Sequence, residues 1–70
     1  MNSERIILQY LREIHKYDTT AFLGYSTLKR NIRDEKVLQI LSEIAEDEKK
    51  HIEILNELIS KLKERIPEEN

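Results

Sequence analysis

Glu48 and His51 stand three residues apart in the run EIAEDEKKHIEIL. On a helix that spacing puts a carboxylate and an imidazole on one face, where both can reach the same cation. The tetrad alone is weakly specific, since a chain with 14 acidic residues produces it often. Its place in the hydrophobic pattern gives it weight. Val37, Leu41, Ile44, Leu55, Leu58 and Leu62 fall on alternating four- and three-residue steps, and the same steps pass through Glu48 and His51. Such a ladder is the seam of a packed helix. Ile7, Leu11, Ile14, Ala21, Tyr25, Leu28 and Ile32 form a second ladder, whose missing step is Asp18.

An unpaired carboxylate in a core costs several kcal/mol. If a two-fold axis passed through this layer, Asp18 and Glu48 of two copies would crowd their negative charges beside two imidazoles. Two divalent ions would neutralise the acids and take neutral imidazole nitrogen as a further donor. Ligation by oxygen with one nitrogen per ion suits iron or manganese, with zinc a common substitute. Iron, two ions per dimer, is the expectation. The alternative is a buried polar layer in which the histidine hydrogen-bonds to the acids and fixes the register of a bundle.

The elements that must position these groups follow from the same ladders. The pattern predicts an all-α chain with a helix over about 3–31, starting after a cap at Asn2 or Ser3, a turn over about 32–34 and a helix over about 35–66. Asp34 is the N-cap of the second helix, and Pro67 forbids its continuation. So short a connection makes the helices antiparallel neighbours, which gives one helical hairpin over 1–70. Asp18, Glu48 and His51 lie 16, 14 and 17 residues from Asp34, or about 24, 21 and 25 Å along the helices. The three groups are therefore expected at one level. Leu8, Phe22, Leu38, Ala45, Ile52, Ile59 and Ile66 flank the ladders and are expected to stay partly wet until a second hairpin covers them. Two hairpins then form a four-helix bundle, and the flanking positions leave room for higher association.

Composition agrees with a stapled small domain. Seventy residues bury too little surface for a comfortable single core. Cysteine is absent, which removes disulfides, thiolate metal sites and cysteine nucleophiles, and fits a reducing, cytoplasmic location. The net charge of −2, with both signs mixed along the chain, gives no nucleic-acid footprint. The opening MNSERIILQYL reads as neither signal peptide nor membrane span.

These motifs resemble the ferritin-like di-iron superfamily, especially the rubrerythrin-type half-bundles and the encapsulated ferritins. In that family the first helix carries a glutamate with alanine three residues on and tyrosine seven on. Here DTTAFLGY aligns Asp18, Ala21 and Tyr25 with those positions. The second family motif, an acidic run ending in Glu-x-x-His, is matched by Glu48 and His51. The resemblance covers both helices. It implies a ferritin-like homodimer with a di-iron site at its interface, Fe(II) oxidation as a ferroxidase or peroxidase-type oxidoreductase, and Tyr25 as a hydrogen-bond donor beside the ligands. Asp18 departs from the pattern by being one methylene shorter than glutamate. Without cysteine there is no rubredoxin-like centre in this chain, so a peroxidase cycle would need an external electron donor.

Other residues carry alternatives. Asp47 could orient an imidazole or be simply solvated. His15, three residues before Asp18, could be an extra ligand or an interface histidine. Tyr10 and Tyr17 read as edge or interface residues. Gly24, costly in mid-helix by about 1 kcal/mol, is either tolerated or marks a close helix approach. Glu46 with Lys50 and Glu57 with Lys61 are same-face pairs of a solvated surface. Besides the oxidoreductase, two functions remain open: a structural or adaptor bundle, and a metal sensor or storage module.

Overall fold

Helix-favouring residues carry the chain through two long helices with one interruption. The computed structural model describes residues 3–66, with α1 at Ser3–Asn31 and α2 at Glu35–Arg65. Asp34 is the N-cap of α2. Its backbone is extended (φ −68°, ψ 120°), its Oδ1 accepts from the Val37 N–H at 3.0 Å, and its carbonyl accepts from the Leu38 N–H at 2.9 Å. One aspartate thereby satisfies an otherwise orphaned donor and starts the helical ladder. Glu35 in the first turn of α2 and Lys29 and Arg30 in the last turn of α1 complement the two helix dipoles at the same end of the hairpin.

α1 finishes with the Asn31 side-chain amide donating to the Thr27 carbonyl at 3.0 Å. α2 gives way at Ile66, whose backbone turns extended (φ −93°, ψ 122°) while its N–H donates to the Lys63 carbonyl at 3.3 Å. Pro67 and Asn2, the expected stop and one of the expected caps, lie outside the described residues.

The expected helical hairpin is what forms, a rod of 52 × 16 × 15 Å. Each helix carries two adjacent ladders of three- and four-residue steps, and only one of them faces the other helix. On α1 the covered ladder runs Leu8, Leu11, His15, Asp18, Phe22, Tyr25 and Lys29 and continues to Ile32 in the turn; on α2 it runs Leu38, Leu41, Ala45, Glu48, Ile52, Leu55, Ile59 and Leu62 and ends at Ile66, just past the helix. Leu8 (9% exposed) and Ala45 (5%) are the buried members and the rest are half-buried.

The second ladder lies open. Ile7, Tyr10, Ile14, Tyr17 and Leu28 on α1, and Val37, Ile40, Ile54 and Leu58 on α2, are exposed. This corrects the expectation for the flanking positions: Leu8 and Ala45 are the best-covered side chains, whereas Ile7, Ile14, Leu28, Val37 and Leu58 of the expected seams face outward. The physical reason is the width of the apolar stripe. Apolar residues on each helix fall on two adjacent ladders that together make one broad stripe, and a single neighbouring helix approaches from one side of that stripe and covers only part of it.

Gly24 sits on the open ladder of α1. A Cβ built there would meet nothing within 4 Å, so α2 does not crowd it. Among the described residues no helix is long and apolar enough to cross a membrane.

Candidate metal centre

Asp18 enters the centre from the covered ladder of α1, and Glu48 from the covered ladder of α2, one step past the buried Ala45. His51 follows Glu48 by one helical turn but belongs to the open ladder. Equal rise along both helices from the turn at Asp34 brings them to one level, and one ligand atom from each of Asp18, Glu48 and His51 lies within 4.8 Å of the others.

Glu48 and His51 show how the group is held. Glu48 is largely covered, its side chain 19% exposed, while the His51 imidazole is 58% exposed. Nδ1 of His51 and Oε1 of Glu48 are 3.8 Å apart, too far for a hydrogen bond. The other carboxylate oxygen, Oε2 of Glu48, is buried with no hydrogen-bond partner. A buried carboxylate oxygen without a donor is unfavourable by itself, and this one lies in a group with a second carboxylate and an imidazole.

These features fit a divalent cation. Bonds of roughly 2.0–2.2 Å to oxygen and nitrogen place donors on one ion roughly 3–4 Å apart, so a group already within 4.8 Å closes on an ion by small side-chain movements. Two carboxylates and one imidazole offer the oxygen-rich donor set that iron and manganese take and zinc tolerates. Asp18, Glu48 and His51 would supply three donors to such an ion, and His51 stands on the exposed ladder.

The remaining candidates stand outside this group. His15, one turn before Asp18, is half-buried on the covered ladder. Its Nε2 is buried without a partner, and the Thr19 hydroxyl donates to its backbone carbonyl at 2.8 Å. Tyr25 is half-buried on the same ladder two turns beyond Asp18, and Asp47 is exposed on the open edge of α2. Lys61 and Glu57 form an exposed ion pair at 3.4 Å, a surface contact of small energetic weight. The orphaned nitrogen of His15 is a feature the pattern of residue types does not reveal, because the ladder marks the position as inward without saying whether a partner waits there.

Comparisons with known proteins bear on this geometry. The family model described as Rubrerythrin matches residues 11–69, a span that takes in Asp18, Glu48 and His51, all of α2 and most of α1. The comparison with curated proteins found no match, and neither did that with solved structures. With the helical hairpin, the grouped acids and histidine and a family match over most of its length, the chain belongs to the rubrerythrin family.

Proposed function

We propose that the chain is a di-iron carboxylate protein whose site is completed when a second copy packs on the open ladder, and that it oxidises Fe(II). The observation that carries this reading is the convergence of Asp18, Glu48 and His51 ligand atoms within 4.8 Å. Family membership supports iron as the metal, and manganese and zinc suit the same donors. Asp18 and Glu48 supply the anionic oxygens that offset the charge of the ions. His51 supplies a neutral nitrogen from the exposed side, where a partner's ligands would meet it.

Iron held there supplies one-electron steps between Fe(II) and Fe(III) to dioxygen or peroxide. The protein's own contribution is to set two acids and an imidazole on rigid helices, to keep the Glu48 carboxylate largely out of water, and to leave one side free for the oxidant and the partner. A cysteine-free chain has no thiolate centre of its own, so a peroxidase cycle would draw its electrons from a separate donor. The cytoplasm fits both the absence of cysteine and a supply of Fe(II).

The test is elemental analysis of the purified protein beside a Glu48→Ala, His51→Ala double variant. Two irons per dimer in the wild type and none in the variant are expected, and equal, negligible metal in both overturns the reading in favour of a non-catalytic bundle with a polar register layer. Stopped-flow absorbance after Fe(II) is mixed with air then separates an oxidase, which develops the Fe(III) signal over many turnovers, from a site that binds metal without turnover.

A further inference from the structure

His15 stands between Leu11 and Asp18 on the covered ladder of α1, half-buried. Its Nε2 is buried without a hydrogen-bond partner, and so, on the facing ladder of α2, is Oε2 of Glu48. Each such atom is unfavourable by itself. Two of them close to one level of the same helix interface, one a nitrogen donor and one a carboxylate oxygen, have in common that a cation would satisfy both.

We propose that His15 is a fourth donor to the ion held by Asp18, Glu48 and His51, so that one hairpin surrounds a divalent cation with two carboxylates and two imidazoles. This rests on the metal-site reading above and adds a ligand to it.

Spacing supports the assignment. His15 and Asp18 are three residues apart on α1, as Glu48 and His51 are on α2, and residues so spaced share a helix face with their Cβ atoms about 5–6 Å apart. Helical side chains lean toward the N-terminus, so Asp18 leans back over the turn that begins at His15. The two imidazoles flank the acids from opposite sides, His15 from the covered ladder and His51 from the open one. Asp18 is also short, and an ion it binds is drawn toward α1, the helix that carries His15.

Charge supports it as well. Two carboxylates, one divalent ion and two neutral imidazoles sum to zero, which lowers the cost of covering the centre. Two oxygens and two nitrogens also fill the four-coordinate shell that zinc favours, and imidazole suits iron. As the ring stands it lies outside the group whose ligand atoms fall within 4.8 Å of one another. Turning it toward Asp18 gives up no hydrogen bond at Nε2, because that nitrogen has none.

The chain has two histidines, so nitrogen NMR can follow each ring separately while Zn(II), a redox-silent probe, is titrated into the wild type. A His51→Ala spectrum assigns the pair. At one Zn(II) per chain, both rings should show the large shift of a coordinated nitrogen. His15→Leu, which places an apolar residue of similar size on the covered ladder, should keep its helical circular dichroism and bind Zn(II) at least about tenfold more weakly. A wild type at saturation in which the His51 nitrogens shift and those of His15 stay in place overturns the fourth donor and leaves the three-residue site standing. If neither ring shifts, the metal-site reading itself falls and the fourth donor with it. The wild-type spectra decide the matter even if His15→Leu folds poorly.

Discussion

Glu48 and His51 sit one turn apart on α2, with Oε1 and Nδ1 separated by 3.8 Å, yet they serve different faces: the carboxylate is covered by α1 and the imidazole looks outward. A candidate ligand set is thus split between the closed and open sides of the hairpin. Under the proposed reading, the covered acids form the finished half of a metal centre and the exposed imidazole marks the half that a partner would complete. The split also separates the effects of substitution, because residues on the covered side act on the hairpin while residues on the open side act on what joins it.

Asp18 tests the covered half. Asp18→Asn keeps the size and removes the charge, and an interaction with a charged group is worth about 1.5–3 kcal/mol. Affinity for Fe(II), or for Mn(II) as an air-stable probe, should fall roughly 10- to 150-fold in anaerobic calorimetry. Asp18→Glu keeps the charge and adds the methylene that the family pattern carries, so stoichiometry should be retained while the rate of Fe(II) oxidation changes. Unchanged affinity in Asp18→Asn would remove this residue from the ligand set.

Glu48 tests whether the site is maintained at a cost to stability. Its Oε2 is buried without a partner on a ladder otherwise formed by Leu41, Ala45, Ile52 and Leu55. An acceptor buried without a donor costs about 1–3 kcal/mol, more for a charged group, and an apolar side chain of similar size removes that cost. Glu48→Leu should raise the urea midpoint of protein kept in chelator while abolishing metal binding. A lower midpoint would mean that the carboxylate has donors in the metal-free protein.

Much of this arrangement is legible in the residue pattern, and the reason is regularity. Constant rise per residue and a short turn determine that Asp18, Glu48 and His51 share a level, and Asp34 announces the start of α2 by its type and place. Which ladder faces the neighbouring helix is not legible. Ile7 and Leu8, or Leu58 and Ile59, are adjacent apolar residues on one broad stripe, and periodicity gives the stripe's width without the direction from which a helix approaches. Leu8 is therefore buried and Ile7 half exposed although the pattern alone favours the reverse. For the same reason the outward aim of His51 emerges only once the two helices are in place.

If a second copy covers the open ladder, stability should depend on protein concentration. A hairpin whose buried side chains are Leu8 and Ala45 has a small core for its length, and association contributes stability by mass action. A tenfold rise in concentration should raise the thermal midpoint by about 3–6 °C for a chain of this size, and Ile14→Glu, which puts a charge on the open face, should abolish that dependence. Scanning calorimetry over two decades of concentration is the measurement, and a midpoint independent of concentration in the wild type would count against self-association.

Asp34 provides a control remote from the centre. Its Oδ1 holds the Val37 N–H at 3.0 Å, and loss of such a cap costs about 1 kcal/mol. Asp34→Ala should lower the unfolding free energy by that amount, read from urea denaturation, and leave iron stoichiometry unchanged. A parallel loss of iron would show that the level of the metal centre depends on how the turn is held.

Gly24 separates what the hairpin needs from what its partner needs. Glycine in mid-helix is less favourable than alanine by about 1 kcal/mol, and nothing lies within 4 Å of a Cβ placed there. A larger residue should therefore strengthen α1 as an isolated element. If a second copy packs closely on the open ladder at Gly24, a Leu there should oppose association even as helicity rises. Gly24→Leu is expected to show undiminished circular dichroism under conditions where it sediments as a monomer, with dimer affinity lowered at least about tenfold, equivalent to about 1.4 kcal/mol. Gly24→Ala, which adds only a methyl, should fall between it and the wild type. Equal dimer affinity in all three would mean that the glycine is merely tolerated and that the space beside it stays with solvent.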